Sequence, residues 1–364
     1  MKKNIFAALL ALLLLISLTA CGGNTATASP AGSDTPDSSA DAQNADSGEQ
    51  TELYHLKVAY SPSLCQAPLH IAVEKGFFEA EGIDAENVQI DAAHVQEAVG
   101  AGQVDVGFGL IGKFLQPLEN GLPIQFTAGI HTGCIKIIAP ADSGISSVAD
   151  LKGKRIGVSG LAGAETIIAK RALAAEGIRV DEKNPEAEFV VFSKNDLGQA
   201  LQNGAIDVIS IGDPTASQFE AEYGLNVILD TSATEPYASE YCCASFVSNT
   251  LAEEHPDIAA AFTRAVLKAA VWVEEHPQET AQIQIDQKYV TGDVDFNAAL
   301  LRHYNYIPSV QGGYEAIQIS VQQLTDIGLL KAGTDAKAFT GNCYTFFDDV
   351  PDSYSVEASA APLD

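Results

Sequence analysis

One local pattern occurs twice in this chain, and it restricts the fold more than any other feature. Ala80-Glu81-Gly82-Ile83 is followed by Ala98 to Gly102 and then by Val104-Asp105-Val106. Ala175-Glu176-Gly177-Ile178 is followed in the same order by Ala200 to Gly204 and then by Ile206-Asp207-Val208. Gly82 and Gly177 fall where a helix ends and needs a residue free to take positive φ, and the apolar residue after each enters a strand. A second helix ends at Gly102 or Gly204, and a short apolar strand with one aspartate follows. Two α/β lobes of the same build account for the repetition. Two such lobes enclose a cleft, and clefts between lobes are favoured small-molecule sites.

Turn residues and hydrophobic period order the rest. Strands are expected at Leu56 to Tyr60, Val104 to Phe108, Ile124 to Ala128 and Cys134 to Ala139, with the polar turn His131-Thr132-Gly133 between the last two. Further strands are expected at Arg155 to Val158, Glu188 to Phe192, Asp207 to Ile211, Asn226 to Leu229 and Tyr241 to Val247. Helices are expected over Pro68 to Ala80 and Ala164 to Glu176, and beyond Val247 the pattern is almost wholly helical. Alternating strands and helices predict parallel sheets, whose ligands sit beyond the carboxyl ends of the strands. The loops in question are Ser61 to Gln66, Gly109 to Gly112, His131 to Cys134, Ser159 to Gly163 and Gly212 to Pro214.

The amino terminus predicts where the body works. Met1-Lys2-Lys3 is basic, Ala7 to Ile16 is an apolar run too short to span a bilayer comfortably, and Leu18-Thr19-Ala20-Cys21 closes it. This is the form of a bacterial lipoprotein signal over 1–20, with Cys21 as the lipidated residue; two or more acyl chains anchor a protein stably without a spanning helix. The segment 21–52 is rich in Ser, Thr, Ala, Asp and Gly, and is expected to be a flexible tether. A cell-membrane location on the extracytoplasmic face follows. The formal net charge of −28 disfavours nucleic acid and anionic membrane surfaces as partners.

Four segments carry a resemblance to a known family: Tyr60-Ser61-Pro62, Lys75-Gly76-Phe77-Phe78, Gly102-Gln103-Val104-Asp105-Val106, and the run Ser147 to Val158 with its Asp-Leu-Lys-Gly-Lys-Arg-Ile-Gly-Val core. They resemble the sulfonate, nitrate and thiamine-precursor type of ABC-importer substrate-binding protein. The resemblance implies an α/β type II periplasmic-binding-protein fold with two lobes joined by two crossover strands, here Cys134 to Pro140 and Tyr241 to Val247. It divides the chain into a first lobe from 53–139 and 241–352, a second lobe from 140–240, and a loose tail at 353–364. It also implies a small-molecule ligand, ABC permease subunits as partners, a monomeric body and no cofactor.

In that family the ligand's head group meets backbone N–H groups at helix starts, where unpaired donors and the positive dipole end converge. The resemblance therefore singles out Ser63, Cys65 and Gln66 after the first strand, Leu110 and Ile111 after Val104 to Phe108, and Ser159, Leu161, Gly163 and Ala164 after Arg155 to Val158. Gly133, Cys134, Tyr241 and Cys242 along the crossings are further candidates, and His131, Glu165 and Asp213 depart from the family's anion-only picture: any of the three in the cleft would meet an N–H or cationic group of the ligand. Glu165 and Asp213 suit two roles each: a carboxylate that caps a helix or turn, or one that meets an N–H or cationic group of the ligand. The glycines likewise either permit tight turns or open the backbone to a ligand.

Cys65, Cys134, Cys242, Cys243 and Cys343 remain once Cys21 is set aside, an odd number that leaves at least one thiol unpaired. Cys134 and Cys242 or Cys243 lie on the two expected crossovers, where a disulfide requires suitable geometry. No metal set is assigned, because His131, Cys134 and Cys242 show no ligand spacing. Tyr241-Cys242-Cys243-Ala244-Ser245-Phe246 only partly echoes the cysteine-rich run of the fungal pyrimidine-forming enzymes of the wider family. No Gly-x-Ser-x-Gly or P-loop is present either. A non-enzymatic capture protein is therefore expected, with a pyrimidine-forming enzyme, a secreted hydrolase or a ligand sensor as alternatives.

Overall fold

A computed structural model describes residues 52–363 apart from Ala93 and Glu182. The expected signal segment, Cys21 and the tether up to residue 51 lie outside the described residues. Ten strands follow in order: β1 (Tyr54–Tyr60), β2 (Ile83–Gln89), β3 (Val106–Leu110), β4 (Ile124–His131), β5 (Ile135–Pro140), β6 (Arg155–Val158), β7 (Glu188–Val191), β8 (Val208–Gly212), β9 (Leu225–Asp230) and β10 (Cys243–Ser248). They form two five-stranded sheets, ordered β2-β1-β3-β10-β4 and β7-β6-β8-β5-β9.

The two sheets have one plan. In the first, β2, β1 and β3 are parallel and β10 runs antiparallel between β3 and β4. In the second, β7, β6 and β8 are parallel and β5 runs antiparallel between β8 and β9. The antiparallel strand of each sheet therefore arrives from the other lobe. The chain crosses at Thr132 to Cys134 and again between Thr231 and Cys242. The sheets are mixed rather than parallel, and Ile135–Pro140 belongs to the second sheet although the sequence reading assigned it to the first lobe.

The repeated pattern has a physical basis in both lobes. Gly82 and Gly177 have φ of 79° and 70°, and Gly102 and Gly204 both have φ of 67°. The Gln103 N–H donates to Ala98 O and the Ala205 N–H to Ala200 O, both at 2.9 Å, which are helix-closing bonds that a left-handed residue permits. The repeated aspartates then tie the next strand to the middle strand of each parallel trio. Asp105 Oδ2 accepts the Lys57 N–H at 3.0 Å, and Asp207 Oδ2 accepts the Arg155 N–H at 2.8 Å.

Helices after β10 cover the first sheet, led by Pro256–Glu275, whose Phe262, Val266, Leu267 and Val273 are fully buried. The tail expected to be loose is docked instead. Glu357–Ser359 forms a short 3-10 turn, Ala361 packs on the main core, and the Leu363 N–H donates to Lys75 O at 3.1 Å. Its apolar residues are too few to nucleate structure alone, but an existing helical surface needs only a few contacts to hold it.

Candidate functional site

The carboxyl ends of the parallel strands face the junction of the lobes, and helices begin there with little loop. The Ile111–Glu119 helix follows β3 directly, so the expected loop at Gly109 to Gly112 is strand end and helix start. Its first N–H, from Ile111, donates to Cys242 O at 2.8 Å and so contacts the returning crossover. Across the junction the Ala164–Ala175 helix begins after Gly163, and a Cβ placed on Gly112 would lie 3.2 Å from Ile167. The lobes are in contact here.

Beside that contact lies a cavity of about 460 Å³, a volume that includes its opening to solvent. Leu110, Ile111, Gly112, Ser320 and Leu324 line it from the first lobe. Ala164, Ile167, Ile168 and Arg171 line it from one face of the Ala164–Ala175 helix, and Thr231, Tyr237, Glu240, Tyr241 and Cys242 from the second crossing. Its walls are mainly apolar, with a single ion pair between Arg171 and Glu240. The guanidinium also lies 5.0 Å over the Tyr237 ring, and Gln323 Nε2 donates to Glu240 at 3.5 Å. Arg171 Nε and Gln323 Oε1 are buried without partners. One charged network thus spans the second lobe, the crossing and the helix Val310–Asp326 of the first.

The sequence candidates divide by location. Leu110, Ile111, Ala164, Tyr241 and Cys242 line this cavity. Ser159 and Leu161 are exposed, and Gly163 is half-buried, its N–H held by Gly160 O at 3.0 Å. Glu165 stands in the first turn of the same helix, with Oε2 2.7 Å from where a Cβ on Gly163 would be. Asp213 is buried in the second lobe and used there: Oδ1 accepts the Ser217 N–H at 2.9 Å and its hydroxyl at 2.8 Å, and Lys136 lies 3.9 Å from Oδ2. Burial raises its pKa and Lys136 opposes the rise. Of its two roles, capping is the one these contacts serve.

Behind the cavity the crossings press together. A Cβ on Gly133 would lie 2.1 Å from the backbone nitrogen of Ser232, so only glycine fits without movement. Tyr241 donates its hydroxyl to Ile307 O at 2.6 Å. His131, expected in an open turn, ends β4 fully buried among Phe108, Tyr304 and Tyr306. Gln66 is also buried, with Nε2 donating to Phe108 O at 3.3 Å, and Ser63 Oγ lies 3.3 Å from Cys65 Sγ.

Cys65, Cys134, Cys242 and Cys243 converge on this region, whereas Cys343 lies apart at the end of Ala336–Asn342. Cys134 Sγ and Cys242 Sγ are 3.9 Å apart and unbridged, and Cys242 Sγ is 3.5 Å from His131 Nδ1. Burial opposes ionisation of Cys242, but hydrogen bonds with Cys134 and Cys243 outweigh it and lower its pKa; burial pushes Cys243 well up. The tightest grouping is Cys65 with His131 and Cys243, which differs from the His131, Cys134 and Cys242 set weighed from sequence.

Arg171, Tyr237, Glu240 and Gln323 were not singled out by sequence. One signal existed for Arg171: it follows Ala164, Ile167 and Ile168 at helical spacing and is the one charge on that apolar stripe.

Comparisons with known proteins agree with this architecture. The structure superposes on the periplasmic aliphatic sulphonate binding protein of Escherichia coli with a TM-score of 0.66 at 15% identity, covering 83% of this chain and 94% of that one. A protein of Bacillus subtilis (strain 168) named for binding aliphatic sulfonates is 27% identical over 254 residues, 67% of this chain and 73% of its own. A 4-amino-5-hydroxymethyl-2-methylpyrimidine phosphate synthase of Aspergillus parasiticus is 24% identical over 239 residues, 62% of this chain and 68% of its own. The pattern defining the NMT1/THI5-like family matches residues 65–280, more than half of the chain. With two lobes of the periplasmic-binding-protein fold joined by paired crossings, the chain belongs to the NMT1/THI5-like family.

Proposed function

We propose that this protein is the extracytoplasmic substrate-binding component of an ABC importer, anchored through Cys21, which closes its lobes on a small organic solute and delivers it to a permease. The observation that carries the reading is the cavity lined from both lobes and from the second crossing. A solute there contacts all three, so its binding free energy favours the closed form. The solute class is that of sulfonates, taurine, nitrate and thiamine precursors. Within it, apolar walls and one ion pair favour an organic body with an acidic or zwitterionic head over bare nitrate, which has no apolar surface to bury.

The test is a thermal-shift screen of alkanesulfonates, nitrate, taurine and pyrimidine precursors, followed by calorimetry and by mass spectrometry of the bound fraction. A ligand at 100 times its Kd adds about 2.7 kcal/mol to the folded state. One solute bound at 1:1 and recovered unchanged is expected. Conversion of the solute would instead support the pyrimidine-forming reading, which the similarity to the Aspergillus synthase keeps as the second one.

A further inference from the structure

We propose that Cys65, His131 and Cys243 form a binding site for one thiophilic d10 metal ion, Zn²⁺ or Cu⁺, at the point where β4 and β10 pair beside the crossings. His131 and Cys243 are partners in the β4–β10 register, and Cys65 reaches them from the turn after β1. One ligand atom from each lies within 4.8 Å of the other two, and all three residues are buried. The imidazole is oriented for this role. Its Nδ1 lies 2.6 Å from Thr132 O, a contact that a carbonyl can make only with an N–H, so the proton resides on Nδ1 and the lone pair on Nε2. Nε2 is fully buried and without a partner. A histidine whose second nitrogen is fixed by a backbone carbonyl is the usual arrangement of a metal ligand.

The donor set selects the ion. Two thiols and one imidazole, enclosed by Phe108, Tyr304 and Tyr306 with no carboxylate in the group, suit a soft ion and not Ca²⁺ or Mg²⁺. Binding forms two metal–sulfur bonds and one metal–nitrogen bond and releases the two thiol protons to solvent, so with Zn²⁺ the three-ligand site is electrically neutral. Cys242 Sγ lies against the other ring nitrogen of His131, 3.5 Å from Nδ1, and the residue also lines the cavity. The ion would link the first-lobe turn to the crossover sheet, and the site stands whichever solute the cavity takes.

The test begins with the reduced, chelator-treated full chain under anaerobic conditions, titrated with Co²⁺ as a spectroscopic probe for Zn²⁺. One equivalent should produce thiolate-to-cobalt charge-transfer absorption, and Zn²⁺ should abolish it. Cys65→Ser and His131→Gln should each weaken Co²⁺ binding at least about tenfold, whereas Cys343→Ser should not. Cu⁺ is tested by competition with a chromophoric Cu⁺ chelator. X-ray absorption of the Zn²⁺-loaded wild type needs no variant to fold and should show sulfur with one imidazole in the first shell. A shell of nitrogen and oxygen alone, no charge-transfer band, or binding unchanged in Cys65→Ser overturns the proposal.

Discussion

Asp105 and Asp207 do the same work in two lobes with unequal support. Each accepts a backbone N–H of the neighbouring parallel strand, but Asp207 also meets the Arg155 guanidinium at 3.1 and 2.7 Å. Asp207→Ala should therefore destabilise more than Asp105→Ala, by a margin that shrinks with added salt; urea unfolding of both variants checks the order. The Arg155 hydrogen bond holds the Asp207 carboxyl below the usual range. Its contribution is thus complete above about pH 4 and fades as pH falls through the depressed folded value, so wild type and Asp207→Asn should converge in acid. His70 has the opposite chemistry and the same sign. It is buried, stacks on Tyr289 at 4.0 Å, and meets the Gln284 amide at 2.9 Å; burial lowers its pKa to about 3. Between its unfolded value near 6.5 and that value the unfolded chain binds the extra proton. Stability should fall with decreasing pH there by on the order of 1.4 kcal/mol per pH unit from this group, and His70→Gln should flatten that part of the profile.

At the scale of elements, the crossings are the least tolerant part of the fold. Gly133→Ala drives a Cβ into the Ser232 backbone, which cannot rotate away, whereas a Cβ on Gly160 meets nothing within 4 Å. Gly133→Ala should cost about 1–3 kcal/mol or more, and Gly160→Ala, one loop from the cavity, should be near neutral; equal unfolding midpoints would show that the crossings have room to separate. The crossing strands were legible as apolar runs, and the family resemblance identified them as crossings. Their sheet membership was not, because a run such as Ile135–Pro140 has the same period in either lobe and pairing is decided by which neighbours have an open edge. Pro68 to Ala80, expected as one helix, is two, Ala67–Glu74 and Phe77–Ala80, broken at Gly76 with φ of 75°.

Across the whole molecule, the Arg171–Glu240–Gln323 network is a charged link between the lobes. Removing Glu240 leaves a guanidinium in a site where Arg171 is 9% exposed, and an unpaired buried charge costs about 3–5 kcal/mol. Glu240→Ala should lower stability toward that size or open the lobes to hydrate Arg171, and small-angle scattering distinguishes these by a larger radius of gyration in the second case. An unchanged midpoint and radius would mean the link does not hold the lobes. The doubled lobe plan was written into the sequence by itself, because glycine stops and their aspartates act through local backbone geometry and recur wherever the motif recurs. The cavity, the buried state of His131 and the thiol grouping were decided only by tertiary structure. Their residues lie far apart in the chain, on stripes that look like ordinary core, and they meet only when two folded lobes are brought together by the crossings.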